Sequence, residues 1–110
     1  MRADDGAARV VLRGGVRTWR GNATWPLARL TASPDVLSVR APLIGGLTVH
    51  RGQPHHLAPY QGVMSRGLRM TLLSNDSERP VTFLTGRLEE LVRDLQRLGW
   101  VVHAGPTQPG

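Results

Sequence analysis

The sequence predicts a mainly β domain that ends in one amphipathic α-helix. Before residue 85 the apolar residues mostly alternate with polar ones, which is the period of a strand with one buried face. Turn residues interrupt this alternation about every eight to twelve residues, as in a meander of antiparallel strands. After residue 85 the apolar period becomes helical. Together these observations predict about six or seven short strands followed by a closing helix.

Length and composition set the class of protein. A chain of 110 residues has room for one domain, and 40% hydrophobic with 20% charged residues is ordinary for a globular protein. The absence of cysteine excludes disulfides and thiolate metal sites and favours a reducing compartment. The sequence shows neither an export signal nor an apolar stretch long enough to span a membrane. We therefore expect a cytoplasmic protein.

The positive charge is densest at the N-terminus. The net charge is +6, and residues 1–21 contribute +3 of it from five arginines and two aspartates. This segment is interpreted as a basic N-terminal arm, which either stays free or forms an extra strand with its arginines in water. We expect residues 22–102 to form the body of the domain and residues 103–110 to form a flexible tail.

The first hairpin comes from residues 23–32 and 36–40. Ser33, Pro34 and Asp35 form the turn between them, because proline presets the backbone for it. Leu27 and Leu30 are three residues apart and would point to opposite faces of a regular strand, which indicates a bulge or burial on both faces. Pro26 favours an edge or strand-start position.

Four further strand segments follow the hairpin. Each shows apolar alternation, and turn residues separate them, including a turn at Asn75, Asp76 and Ser77. The segments are residues 47–50, residues 55–60, residues 67–73, and the stretch containing Val81 and Phe83.

Residues 87–98 form the predicted helix. Its apolar stripe consists of Leu88, Leu91, Val92, Leu95 and Leu98. Thr85 is the predicted N-cap, and Gly99 fits the C-terminal cap.

The order of these elements resembles the pleckstrin-homology-like (PH-like) barrel in its bacterial versions. The resemblance covers residues 23–102 and rests on the strand at 25–30 with its hairpin, the strand at 67–70 and the segment 83–100. It implies that the helix plugs one open end of the barrel, and that the ligand is a phosphoinositide headgroup, a peptide or a protein. Lipid-binding members carry several Lys and Arg in the first hairpin loop, whereas residues 31–36 have none and only Arg29 and Arg40 flank them. This departure argues against headgroup recognition.

Chemistry-bearing motifs are scarce. His50, His55 and His56 do not have the spacing of a zinc site, and no Cys, Asp or Glu lies nearby in the sequence. We find no nucleophile or phosphate-loop motif, and the pairs Gly14-Gly15 and Gly45-Gly46 are interpreted as turns. The sequence therefore predicts a protein that is not an enzyme, without metal or cofactor. Trp25 and Trp100 are predicted to be core residues.

The remaining candidate residues are cationic or aromatic. The predicted anion or membrane contacts are Arg13, Arg17, Trp19, Arg20, Arg29 and Arg40. They indicate a non-enzymatic binding module of PH-like fold that contacts a protein or an anionic membrane surface. The alternative is nucleic-acid binding through the basic arm, residues 9–20. The sequence leaves the oligomeric state open.

Overall fold

A computed structural model describes residues 9–63, 65–73 and 80–103. These residues form seven strands and one helix: β1 (Val10–Thr18), β2 (Gly21–Ala32), β3 (Val36–Ala41), β4 (Gly45–His50), β5 (His55–Gln61), β6 (Arg66–Leu72), β7 (Val81–Leu84) and α1 (Leu88–Arg97). The strands make one antiparallel sheet in the order β4-β3-β2-β1-β7-β6-β5. The sheet curls into a half-barrel that α1 caps. The predicted fold class, a PH-like barrel closed by a helix, is thus confirmed.

The basic N-terminal segment contributes the central strand. β1 pairs with β2 along most of its length and with β7 at Gly15, Val16 and Arg17, and so joins the two meanders β1–β4 and β5–β7. From Val10 onward this segment is therefore an integral strand and not a free arm. Residues 1–8 of this segment lie outside the described residues, as do the predicted turn at 75–77 and residues 104–110 of the predicted tail.

The β2–β3 hairpin forms as predicted, with Ala32 opposite Leu37. The predicted irregularity in β2 is a large bulge. Gly14 pairs with Ala28 and Val16 pairs with Ala23, so residues 24–27 lie opposite the single residue Gly15. We call residues 24–27 the bulge. Its Trp25–Pro26 peptide bond is cis, and Pro26 lies inside β2 rather than at its start.

The core lies on the concave face of the sheet, around the fully buried Phe83. Phe83 is opposite Val16 on β1 and Leu68 on β6, and all three side chains are buried. A Cβ atom at Gly14 would come within 2.7 Å of Phe83 Cζ, so the ring requires glycine there. Gly14 and Gly15 lie in mid-strand, and the prediction that they form a turn is wrong.

The helix covers this core with Leu88, Leu91 and Leu95, which are buried. Its C-terminal cap is confirmed: Gly99 has φ +99°, and the N–H groups of Gly99 and Trp100 donate to Gln96 O and Leu95 O in the Schellman pattern. The N-cap residue is Arg87 and not Thr85. Thr85 lies two residues before the N-cap, and its hydroxyl accepts a hydrogen bond from the Arg87 N–H at 3.0 Å.

The chain after the helix returns to the sheet. Trp100 is buried as predicted, and its Nε1 donates to Ser33 O at 2.8 Å in the β2–β3 turn. The His103 N–H donates to Leu57 O on β5 at 2.8 Å. In the part of the chain that the structure describes, no helix is long and apolar enough to cross a membrane.

Candidate anion-binding surface

Three of the predicted contact residues form a row across the convex face of the sheet. Arg29 on β2 is the register partner of both Arg13 on β1 and Arg40 on β3, and all three side chains are exposed. Since neighbouring strands are about 4.8 Å apart, the row spans about 10 Å from end to end. We call Arg13, Arg29 and Arg40 the arginine row. On β4 the row ends at Gly46, which faces Arg40 and has no side chain.

The arginine row is not neutralised within the described residues. The ion pairs found there join Arg66 to Glu89, Arg87 to Glu90 and Arg97 to Asp94, and none reaches the row. Arg13 Nη1 donates to an uncharged acceptor, Pro26 O, at 3.5 Å. Opposite charges in directly opposite positions stabilise a sheet by roughly 0.2–1 kcal/mol, and like charges in the same positions destabilise it. The row therefore concentrates positive charge that an anion would compensate.

The bulge places two apolar side chains beside this charge. Trp25 is 70% exposed and Leu27 is 52% exposed. The prediction that Trp25 is a core residue is wrong, because the extra residues of β2 fold outward over β1. A Cβ atom at Gly15 would come within 2.9 Å of Ala23 O, so glycine allows this close approach.

A second cationic cluster lies across the bulge from the arginine row. The Tyr60 ring on β5 is approached by Arg17 on β1 and Arg69 on β6, with guanidinium carbons 5.9 and 5.2 Å from its centroid. Arg17 Nη1 also donates to the Tyr60 hydroxyl at 3.3 Å. The arrangement fits the register, since Arg17 and Arg69 are both partners of Thr82 on β7. Arg17 is therefore separate from the row that Arg13 joins.

Trp19 and Arg20 lie at the tip of the β1–β2 hairpin. The Thr18 hydroxyl accepts hydrogen bonds from the N–H groups of Arg20 at 2.9 Å and Gly21 at 3.1 Å, which fixes the turn. The Arg20 guanidinium lies 5.8 Å from the centroid of the Trp19 ring. The six predicted contact residues thus fall into three groups on the convex face and its rim.

A cleft of about 610 Å³ opens between the bulge and the start of α1. It is lined by strand, loop and bulge residues: Gly15, Arg17, Asn22, Ala23, Thr24, Trp25, Ser65, Arg66, Leu84, Thr85 and Gly86. Arg66 pairs with Glu89, and its hydrogen bond holds the pKa of that carboxyl below the ordinary value of 4.5. The buried Nε of Arg66 has no hydrogen-bond partner among the described residues.

The histidines contact separate partners. His55 packs edge-on against Trp100 with ring centroids 5.3 Å apart, and His56 stacks on His103 at 4.3 Å. Over residues 9–63, 65–73 and 80–103, no cluster of three or more His, Cys, Asp or Glu is placed to hold a metal ion.

Part of this surface has no signal in the local sequence. Tyr60, Arg66 and Arg69 come from β5 and β6, and only the pairing of β1 with β7 brings them near Arg17. Trp25 and Leu27 carried a local signal, the broken alternation of β2, but that signal did not show which side the extra residues would take. Searches among protein-family models, curated proteins and solved structures found no match for this chain. Membership of the PH-like family stays a prediction.

Proposed function

We propose that this chain is a non-enzymatic, cytoplasmic binding module of the PH-like family that docks on anionic membrane surfaces. The observation that carries the proposal is the arginine row, in direct register and without acidic partners in the described residues, beside the exposed Trp25 and Leu27. Charge and an apolar tip on one face are the two components of peripheral membrane binding.

The arginine row supplies the electrostatic component. Each Arg close to an anionic leaflet contributes about 1 kcal/mol, and this attraction falls off within a Debye length. Three arginines within about 10 Å act on the same patch of lipid. The attraction is to surface charge and does not require recognition of one headgroup. It is therefore compatible with the absence of basic residues from residues 31–36.

The bulge supplies the apolar component. Trp side chains favour the membrane–water interface, where an apolar ring and a polar N–H are both accommodated. Leu27 is close in sequence and exposed, and burying it in lipid removes apolar area from water. Leu27 favours a membrane over a nucleic acid as the partner, because a leucine offers no flat π-face on which a base could stack. The pair Trp25 and Leu27 therefore favours a lipid surface over a nucleic acid.

Vesicle co-sedimentation tests the proposal. The probe is phosphatidylcholine vesicles with and without 30% phosphatidylserine. We expect binding to the anionic vesicles only, with a decrease as salt is raised. Arg29→Gln should weaken binding about fivefold, and the double variant Arg29→Gln/Arg40→Gln about 25-fold, since each loses about 1 kcal/mol. Leu27→Ser should weaken it without changing its salt dependence.

Arg93→Gln is the matched control. Arg93 is an exposed arginine on α1, away from the convex face, and its loss removes the same charge. It should leave vesicle binding within twofold of the unmodified protein. Equal binding to neutral and anionic vesicles, or an equal effect of Arg93→Gln and Arg29→Gln, would overturn the proposal. Tighter, salt-dependent binding of single-stranded oligothymidylate than of vesicles would replace it with nucleic-acid binding.

A further inference from the structure

We propose that the cleft between the bulge and α1 is a second binding site, for a small organic phosphate. The phosphate would lie against Arg17 and Arg66, and a flat apolar group on the same ligand would lie against Trp25. This site is separate from the arginine row and does not depend on membrane docking.

The cleft has the dimensions of a small-molecule site. Its volume of about 610 Å³ lies within the roughly 300–1,000 Å³ of ligand pockets. One of its lining residues, Gly86, has no side chain to fill it. A Cβ atom added at Gly86 would meet nothing within 4 Å, so space is open at the end of the cleft next to α1.

The charges in the cleft favour an anion. Arg17 makes no ion pair within the described residues, and it donates a hydrogen bond to the Tyr60 hydroxyl. Arg66 is paired with Glu89, which does not itself line the cleft, so only one of the two arginines at the cleft has an acidic partner among the described residues. Guanidinium groups match the oxygens of phosphate in geometry and charge.

Hydroxyl groups around the cleft favour phosphate over carboxylate. Thr24, Ser65 and Thr85 all line it. The Thr85 oxygen already accepts from the Arg87 N–H, which leaves its hydroxyl hydrogen available to donate. A phosphate monoester has three terminal oxygens and a carboxylate has two. Several donors beside two guanidinium groups therefore suit the phosphate better.

Trp25 defines the rest of the ligand. Trp25 lines the cleft and its side chain is largely exposed, so a flat apolar ring is available near the cationic end. A planar group attached to the phosphate would stack on that ring, and stacking on an aromatic side chain changes affinity by about tenfold or more. The chemical class is therefore a phosphate monoester of a planar, apolar group.

Amide-detected NMR titration of the whole chain with phenyl phosphate tests the site, with inorganic phosphate and phenol as reference probes. We expect phenyl phosphate to bind at least about tenfold more tightly than either reference. The amide chemical-shift changes should concentrate at Gly15, Thr24, Ser65 and Gly86.

Three variants test the roles of the side chains. Arg17→Gln should weaken phenyl phosphate binding about tenfold. Glu89→Gln should strengthen it severalfold, because that carboxylate competes for Arg66. Trp25→Ala should lower the affinity for phenyl phosphate to that for inorganic phosphate.

Arg40→Gln separates this site from the proposed function. Arg40 belongs to the arginine row and does not line the cleft, so its loss should weaken vesicle binding and leave phenyl phosphate binding unchanged. Equal affinities for phenyl phosphate and phenol would overturn the site, as would equal effects of Arg17→Gln and Arg40→Gln. A failure of vesicle binding alone would overturn the membrane proposal and leave this one standing.

Discussion

Arg13 on β1 lies directly opposite Arg29 on β2, and Arg29 lies directly opposite Arg40 on β3. A sheet gains from opposite charges in such positions and is destabilised by like charges. No acid compensates the three arginines within the described residues. The pairing of Arg13 with Arg29 therefore works against folding, and a bound anion of the kind proposed above would relieve it.

Arg29→Gln should stabilise the free protein. It removes the middle charge of the row and with it two like-charge contacts, which predicts a gain of about 0.2–1 kcal/mol per contact in the free energy of unfolding at low salt. Urea unfolding measures the gain, since urea adds no ionic strength. Added salt should shrink it by screening. Arg93→Gln should give no such gain, because Arg93 lies near the carboxylate of Glu89. A destabilised Arg29→Gln variant would contradict the repulsion argument.

Gly15→Ala should disturb the bulge. The added Cβ would meet the backbone oxygen of Ala23 at 2.9 Å, and forcing a carbon into a packed position costs about 1–3 kcal/mol of stability. Gly86→Ala is the matched control, since its Cβ meets nothing and alanine restricts the unfolded chain. Thermal unfolding should show a lower Tm for Gly15→Ala and an equal or higher Tm for Gly86→Ala. Equal Tm values would show that the bulge can move freely.

Trp100→Phe should destabilise the protein by about 1–2 kcal/mol. The substitution loses the hydrogen bond from Nε1 to Ser33 O and part of a ring that is 3% exposed. Trp25→Phe makes the same chemical change at a position that is 70% exposed, and it should change stability by less than about 0.5 kcal/mol. Denaturant unfolding of the two variants checks the contrast. Comparable losses would mean that Trp25 is buried in solution.

Arg66→Gln should raise the pKa of Glu89 toward its ordinary value. That pKa is lowered first by the hydrogen bond from Arg66 and then by a backbone hydrogen bond at Glu89. A lowered carboxyl pKa adds stability that is fully present above pH 4.5 and is lost as the pH falls through the lowered value. A ¹³C NMR titration of the Glu89 carboxyl measures the shift directly. Arg97→Gln, which breaks the pair with Asp94, should leave the Glu89 titration unchanged.

The elements with one consistent period were predictable from the sequence. β6 and α1 each have a clear apolar face, and Leu68, Met70, Leu91 and Leu95 are buried as their spacing indicates. Gly99 ends the helix because it adopts the positive φ that other residues disfavour. These features depend on short-range geometry, so the local sequence is sufficient to predict them.

The candidate site depended on information that is not local. Arg13, Arg29 and Arg40 were each singled out as separate cations, and only the register of three strands makes them neighbours. Gly14 and Gly15 had the composition of a turn, yet Phe83 on one face and the bulge on the other require glycine in mid-strand. The direction of the bulge, and with it the exposure of Trp25, follows from the pairing of β1 with β2.

The segment after the helix has a consequence for solubility. β5 is the last strand of the sheet on its side, and a bare edge of this kind can pair with another molecule and start aggregation. The His103 N–H occupies the carbonyl of Leu57 on that edge, and the buried side chains of Trp100 and Val102 hold the segment there. Cutting the chain after Gly99 would leave the edge unprotected, and the shortened protein should self-associate through β5.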